Sequence, residues 1–260
     1  MLAVRKRVLV TVKTYPNPST KYKETVCTAG IDLDTGRFVR LYPVRFRHLS
    51  YASQFKKWDI LEFDAFHKSS DVRGDTWTPQ GDFVTMGHID TGPGRPPNWA
   101  KRNAVILPLT STIEDLEIRA RDRSCSLGVV KVHAPARLRV VSSPGEWTQK
   151  QSLAIAQEGL FDEKCRPLER VPVKFMYEFR CHGSCKGHRV QLFDWEVYAL
   201  YRRQLDKRGD AVAAAQDVEQ HFNVQLGTET HDLHLFVGTH FEHQDQFSAI
   251  GVYYPPLRTQ

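Results

Sequence analysis

What the chain lacks narrows it first. No stretch approaches the ~18 consecutive apolar residues that a membrane-crossing helix needs, so an integral membrane protein is not expected. The opening MLAVRKRVLVTVKTYP has a basic cluster, but only Val8, Leu9 and Val10 follow before Thr11. That is well short of the ~7–15 apolar residues of a secretory core, and a cytoplasmic, unprocessed chain is the expectation. No G-x-x-x-x-G-K-[ST], G-x-G-x-x-G, G-x-S-x-G or H-E-x-x-H occurs. Nucleotide hydrolysis, dinucleotide redox chemistry and zinc proteolysis therefore have no motif to stand on. Cysteine is scarce and odd in number: Cys27, Cys125, Cys165, Cys181 and Cys185. That pattern suits free thiols or metal ligands, not a disulfide framework.

What is present is an ordinary soluble composition, 41% apolar and 25% charged, over 260 residues. That length holds one large domain or two of common size. Acidic residues are rare at the start. Up to residue 48 there are ten lysines and arginines (Arg5, Lys6, Arg7, Lys13, Lys21, Lys23, Arg37, Arg40, Arg45, Arg47) against Glu24, Asp32 and Asp34. With a net charge of +6, a polyanion is the expected partner: nucleic acid, DNA or RNA, with an acidic protein as the alternative and no membrane.

Alternating apolar residues predict strands over 4–13, 24–32, 37–44 and 58–66, with "DTG" turning the second into the third. Strands this closely spaced suggest a small barrel or a bent sheet. "FRHLSYASQF" reads as a short helical or looped crossing. Residues 90–103, rich in proline and glycine, read as loop or linker. Helices are predicted over 111–124, where Ser111 or Thr112 can cap, and over 148–161. "VPVKFMYEFRC" and "HRVQLFD" look like antiparallel partners. A long helix begins at Asp194, breaks at Gly209 and resumes, and two strands close the chain. The expected fold class is α+β: a basic β-rich part over 1–90, a linker and mixed segment over 91–145, and a mixed α/β part over 146–260 built around a possible zinc knuckle.

Three sites follow. In "RFVRLYPVRFRH" arginines and aromatics interleave, and strand periodicity sets Phe38, Arg40 and Tyr42 on one face. Aromatic rings stack bases while guanidinium groups take phosphates, so Lys21, Arg37, Phe38, Arg40, Tyr42, Arg45 and Arg47 are the nucleic-acid candidates. Second, Cys181, Cys185 and His188 follow a C-x3-C-x2-H spacing beside Gly183 and Gly187. This suits a structural zinc ion with His234 or His240 as a possible fourth ligand. Its bland counterpart is a reduced glycine turn. Third, Asp194 and Glu196 at a strand-to-helix junction, with Glu178 on the preceding strand, could share Mg²⁺ or Mn²⁺ in a nuclease. The competing assignment is a helix cap and a dipole-favoured first turn. The expected function is nucleic-acid binding, with a metal-dependent nuclease and a non-catalytic protein-interaction module as alternatives.

Overall fold

The computed structural model describes residues 3–257 apart from 20, 68–70, 93–96, 144–145, 150, 154 and 156–167. The described chain is a strand-rich mixed α/β protein with two sheets. Its contacts separate two compact units: Met1–Asp71 with Asp75–His88 and Ser143–Pro172, and Val72–Gly74 with Ile89–Ser142 and Val173–Gln260. Residues 91–142 thus group with the second unit.

The first unit is built from β1 (Val4–Lys13), β2 (Asn17–Ser19), β3 (Lys23–Asp32), β4 (Phe38–Val44), β5 (Asp59–His67) and β6 (Thr76–His88). β1 pairs with both β3 and β5, β5 with β6, β6 with β4, and β4 with β3. The pairings return on themselves, so five strands form a closed ring, while β2 hangs on β3. Without β2, the ring runs first, second, third, fifth, fourth and back to first. Every joint is antiparallel except the parallel one between β4 and β6. A closed ring leaves no edge and points every second side chain inward. Val8, Val10, Leu41, Leu61 and Phe63 are fully buried there. At one end Phe46, Phe55, Phe83 and Phe63 stack edge to face at 5.0–5.1 Å. Closure needs a close approach at Gly30, where a Cβ would lie 2.2 Å from the Leu9 carbonyl oxygen. Only glycine lets the two backbones meet so.

The predicted crossing over 46–55 is two single 3-10 turns, Phe46–His48 and Tyr51–Ser53. β6 has no counterpart in the sequence-based expectation. Its segment TWTPQGDFVTMGH contains Pro79 and a left-handed Gly81 (φ 74°), and most of its side chains face solvent.

The second unit comprises α1 (Ala100–Ile106), β7 (Thr110–Ser111), α2 (Ile113–Arg121), β8 (Leu127–Lys131), β9 (His133–Ser142), β10 (Val173–Arg180), β11 (His188–Leu192), α3 (Trp195–Arg208), α4 (Ala211–Gln220), β12 (His234–Thr239) and β13 (Phe247–Tyr253). Sheet order is β7-β8-β12-β13-β11-β10-β9, with parallel joints only at β7–β8 and β11–β13. The closing strands β12 and β13 lie at the centre and are buried along their whole length, as central strands covered on both faces must be. On β10, Phe175, Tyr177 and Phe179 turn inward. Phe175 meets Tyr198 and Tyr201 of α3 at 5.3 and 6.2 Å.

The helix starts follow cap chemistry. Thr112 Oγ1 accepts from the Asp115 amide at 3.2 Å. Asp210 caps α4 through the Ala213 amide at 2.7 Å, and Gly209 ends α3 in the left-handed region, the conformation glycine adopts without strain. Of the helix expected over 148–161, residues 149, 151–153 and 155 are described as helical, and everything after 155 lies outside the described residues. Cys165 lies there too.

Candidate metal centre

β10 and β11 form the antiparallel hairpin expected from sequence, with Phe179 opposite His188. Residues 181–187 make its turn. The Cys185 amide donates to the His182 carbonyl at 3.2 Å, and Gly187 sits at φ 105°. That backbone lets the Gly187 amide donate to Cys185 Sγ at 3.3 Å. Cys181 and Cys185 are buried and His188 is half-buried. His188 Nε2 lies 3.3 Å from Cys181 Sγ and 3.1 Å from Cys185 Sγ.

The fourth donor comes from elsewhere in the same unit. Glu114, in the first turn of α2, places one carboxylate oxygen 3.0 Å from Cys181 Sγ and the other 3.2 Å from His188 Nε2. One donor atom each from Glu114, Cys181, Cys185 and His188 lies within 4.8 Å of the other three. A tetrahedral ion with bonds of ~2.3 Å to sulfur and ~2.0 Å to nitrogen or oxygen spans donor edges of roughly 3.3–3.8 Å. The cluster fits that size after small adjustments. His182 Nε2, 3.5 Å from the Glu114 carboxylate, with Nδ1 3.1 Å from Ser184 Oγ, supports the carboxylate from outside, as partners of metal ligands commonly do.

Without a cation these groups sustain one another as hydrogen-bonding partners. Burial first, then the Glu114 carboxylate, pushes the Cys181 thiol up to about 12. Burial works against the charge of Glu114, but the Cys181 hydrogen bond and the two imidazoles prevail and hold its carboxyl below the usual range. Two sulfurs, an imidazole and a carboxylate make a donor set able to hold a metal ion, because a cation favours the deprotonated thiols that burial alone disfavours.

The two histidines expected as possible fourth ligands are engaged elsewhere. His234 is 2% exposed on β12, with Nδ1 3.0 Å from the Asp232 carbonyl. His240 Nε2 is 2.9 Å from Ser248 Oγ. Glu114 leaves no metal-ligand signature in the sequence: it stands 67 residues before Cys181 and is one of two acids in a helix first turn, where the dipole alone accounts for an acid.

The carboxylates of the nuclease alternative do not converge. Asp194 is 1% exposed, and both its oxygens accept backbone amides, Oδ1 from Glu196 at 2.9 Å and Oδ2 from Val252 at 2.8 Å. It therefore caps α3 and ties that helix to β13. Glu196 is exposed, and Glu178 lies 3.4 Å from both Arg139 and Arg189. Among the described residues, these three carboxylates form no metal-sized group.

The nucleic-acid candidates are placed unevenly. Lys21 and Arg37 are exposed, and Phe38, Tyr42 and Arg45 half-buried. Tyr42 meets Tyr22 edge-on at 6.0 Å, and Lys21 Nζ stands 5.4 Å from the Tyr22 ring. Arg40 does not share that exposure: it is 4% exposed, with Nη1 3.1 Å from Cys27 Sγ. Arg47 is committed to the buried Glu24 at 2.7 Å. The basic excess of the first strand is similarly bound: Arg5 to Glu62 and Asp64, Lys6 to Asp32, and Arg7 to Asp34.

Together these features define a class: a strand-rich chain of two compact units, the second carrying a cluster of two cysteines, one histidine and one glutamate able to hold a metal ion. The chain belongs to the family described as "Domain of unknown function (DUF8757)", which matches residues 109–260, more than half its length. A second family, described as "Domain of unknown function (DUF8758)", matches residues 4–108. No curated protein matches the chain. Among the described residues, no helix is long and apolar enough to cross a membrane.

Proposed function

We propose that the chain is a nucleic-acid-binding protein whose N-terminal ring of strands takes the strand and whose C-terminal unit is braced by a structural zinc ion. The observation that carries this function is the ring order. First, second, third, fifth, fourth, with a parallel third–fifth joint, is the connectivity of the oligonucleotide- and oligosaccharide-binding barrel, whose second and third strands and first loop form the usual binding face. Folds host many functions, so the residues matter more. On this chain those strands are β3 and β4: β4 carries Phe38 and Tyr42, Arg37 and Arg45 flank it at either end, and the loop before β3 carries Lys21 and Tyr22. Aromatics for stacking and cations for phosphates are what such a face requires. Cys181, Cys185, His188 and Glu114 would hold zinc as a four-ligand, closed set, the structural kind. A reducing cytoplasmic setting keeps those thiols available.

The test is fluorescence anisotropy with labelled single- and double-stranded oligonucleotides over a salt series. Binding should weaken steeply as salt rises, and Tyr42→Ala with Arg37→Gln should cost roughly tenfold or more, since one stacked base alone is worth ~1–3 kcal/mol. Absence of binding at low salt, or a flat salt response, would sink the proposal.

A further inference from the structure

The outward face of β9, β10 and β11 in the second unit has a composition that folding does not explain. The inward side chains of these strands, Leu138, Phe175, Tyr177, Phe179 and Leu192, are all buried. The outward ones include Arg137 and Arg139 on β9, Lys174 and Arg180 on β10, and Arg189 on β11, all exposed. The one acid among them, Glu178, faces Arg137 on one side and Arg189 on the other in the strand register. It lies 3.4 Å from both Arg139 and Arg189, holding the two guanidinium groups across the sheet. Arg137 also reaches Glu219, at 3.7 Å. Lys174 and Arg180 have no ion pair among the described residues.

Like charges on neighbouring strands destabilise a sheet, so a cluster of five needs a cause. Protection of a free edge is the usual one, and β9 is the last strand of its sheet. It accounts for Arg137 and Arg139 only, because β10 and β11 are paired on both sides. We infer that this face is a second polyanion-binding surface, and that its ligand is the phosphate backbone of nucleic acid. It rests on the proposed nucleic-acid function and extends it to a part of the chain with no aromatic platform. The choice of ligand follows from what the face lacks. Its largest apolar side chain is the half-buried Met176, whereas protein partners need aromatic or aliphatic anchors and membrane surfaces need inserted Trp, Phe or Leu. Cations spaced along strands, without stacking rings, contact phosphates and do not read bases. The cluster of Glu114, Cys181, Cys185 and His188 sits at the turn between two of these strands and would fix their register, so that Arg180 and Arg189 flank the metal-braced end.

The experiment compares two neutralised variants of the full chain. Arg139→Gln/Lys174→Gln/Arg180→Gln removes sheet-face charge, and Arg37→Gln/Tyr42→Ala alters the barrel. Both are checked for unchanged melting and far-ultraviolet dichroism. With labelled oligonucleotide, the sheet variant should bind roughly tenfold more weakly at low salt, and its log–log salt slope should fall by about two to three, near one per lost phosphate contact. A sheet variant that binds like wild type overturns the inference while leaving the barrel proposal standing. A barrel variant that binds like wild type, beside a weakened sheet variant, has the reverse meaning. Wild type that fails to bind overturns both. A second readout needs no variant: acetylation of Lys174, followed by mass spectrometry, should be suppressed by oligonucleotide. Protection by poly-glutamate or anionic vesicles and not by oligonucleotide would reassign the face and overturn the inference.

Discussion

The barrel strand β1 and the sheet formed by β9, β10 and β11 carry similar numbers of cations and use them in opposite ways. On β1, Arg5, Lys6 and Arg7 each meet a carboxylate from a neighbouring strand or the turn after it, at 2.6–2.7 Å for the closest contacts. On the C-terminal sheet, five cations stand around one outward acid, Glu178, which meets only Arg139 and Arg189, each at 3.4 Å. Charge density along a sequence is therefore a poor guide to charge on a surface. The first 48 residues look strongly basic, yet Lys6, Arg7 and Arg47 are bound by the three acids of that span, and Arg5 by Glu62 and Asp64 of β5, further along the chain. The C-terminal cluster is spread over more than fifty residues of sequence and becomes dense only through strand register.

The two regions also differ in what holds them. The barrel is held by packing and by the close backbone approach at Gly30, whereas the hairpin end of the C-terminal sheet is held by four donors from two segments. Metal removal should break that contrast most sharply. Elemental analysis should give about one zinc per chain, lost on chelation or in Cys185→Ser, with melting lowered by roughly 10 °C or more, because the free energy of a structural site is folding free energy. Glu114→Ala should lose the metal likewise, and His240→Ala should keep it. Retained zinc in Glu114→Ala, or its loss in His240→Ala, would return the fourth ligand to the distant histidine.

Asp194→Ala probes a different tie in the same unit. It removes a helix cap and strands the buried Val252 amide, a combined cost of about 2–4 kcal/mol. Asp194→Asn, which keeps one acceptor, should recover part of it. Neither substitution should abolish an Mg²⁺- or Mn²⁺-dependent cleavage, because the carboxylate is consumed by backbone amides. Cleavage by wild type that vanishes in a still-folded Asp194→Asn would revive the nuclease alternative.

Local chemistry made some of this legible. Strand alternation in VRKRVLVTVK and VPVKFMYEFRC, Asp194 as a cap and Gly209 as a stop all reflect forces acting within a few residues, and the structure places those elements where the sequence put them. The Cys181–His188 turn was legible for the same reason. What escaped depends on distance along the chain. β6 was hidden because its side chains are mostly exposed and its path is set by β5 and β4, with Pro79 and Gly81 suggesting a loop. Glu114 was hidden behind its helix, and the burial of Arg40 behind partners such as Cys27. The parallel joint between β4 and β6 leaves no local trace at all, although it determines the barrel's connectivity.

The smallest expected effect sharpens the comparison from the barrel side. Lys6 Nζ lies 2.7 Å from Asp32 Oδ2, and both side chains are largely buried. Asp32 Oδ1 also accepts from the Asp34 and Thr35 amides at 2.9 and 3.3 Å. Burial works against the charge on Asp32, but Lys6 and these amides outweigh it, so its carboxyl titrates below the ordinary range. A carboxyl depressed in the folded state contributes stability above its unfolded value, near ~3.9, and loses it as pH falls through the folded value. The wild type should therefore lose about 1–2 kcal/mol from this pair in acid, mostly below pH ~4. Lys6→Met should give up a similar amount at neutral pH and show a shallower acid loss, because the two amides remain while the cation does not. Chemical denaturation of both proteins from pH ~7 down to pH ~2 follows the loss below the unfolded value and reads the difference directly. An acid loss in Lys6→Met as steep as in wild type would mean that the amides alone hold the carboxylate, and that the barrel's cations are less committed than their distances imply.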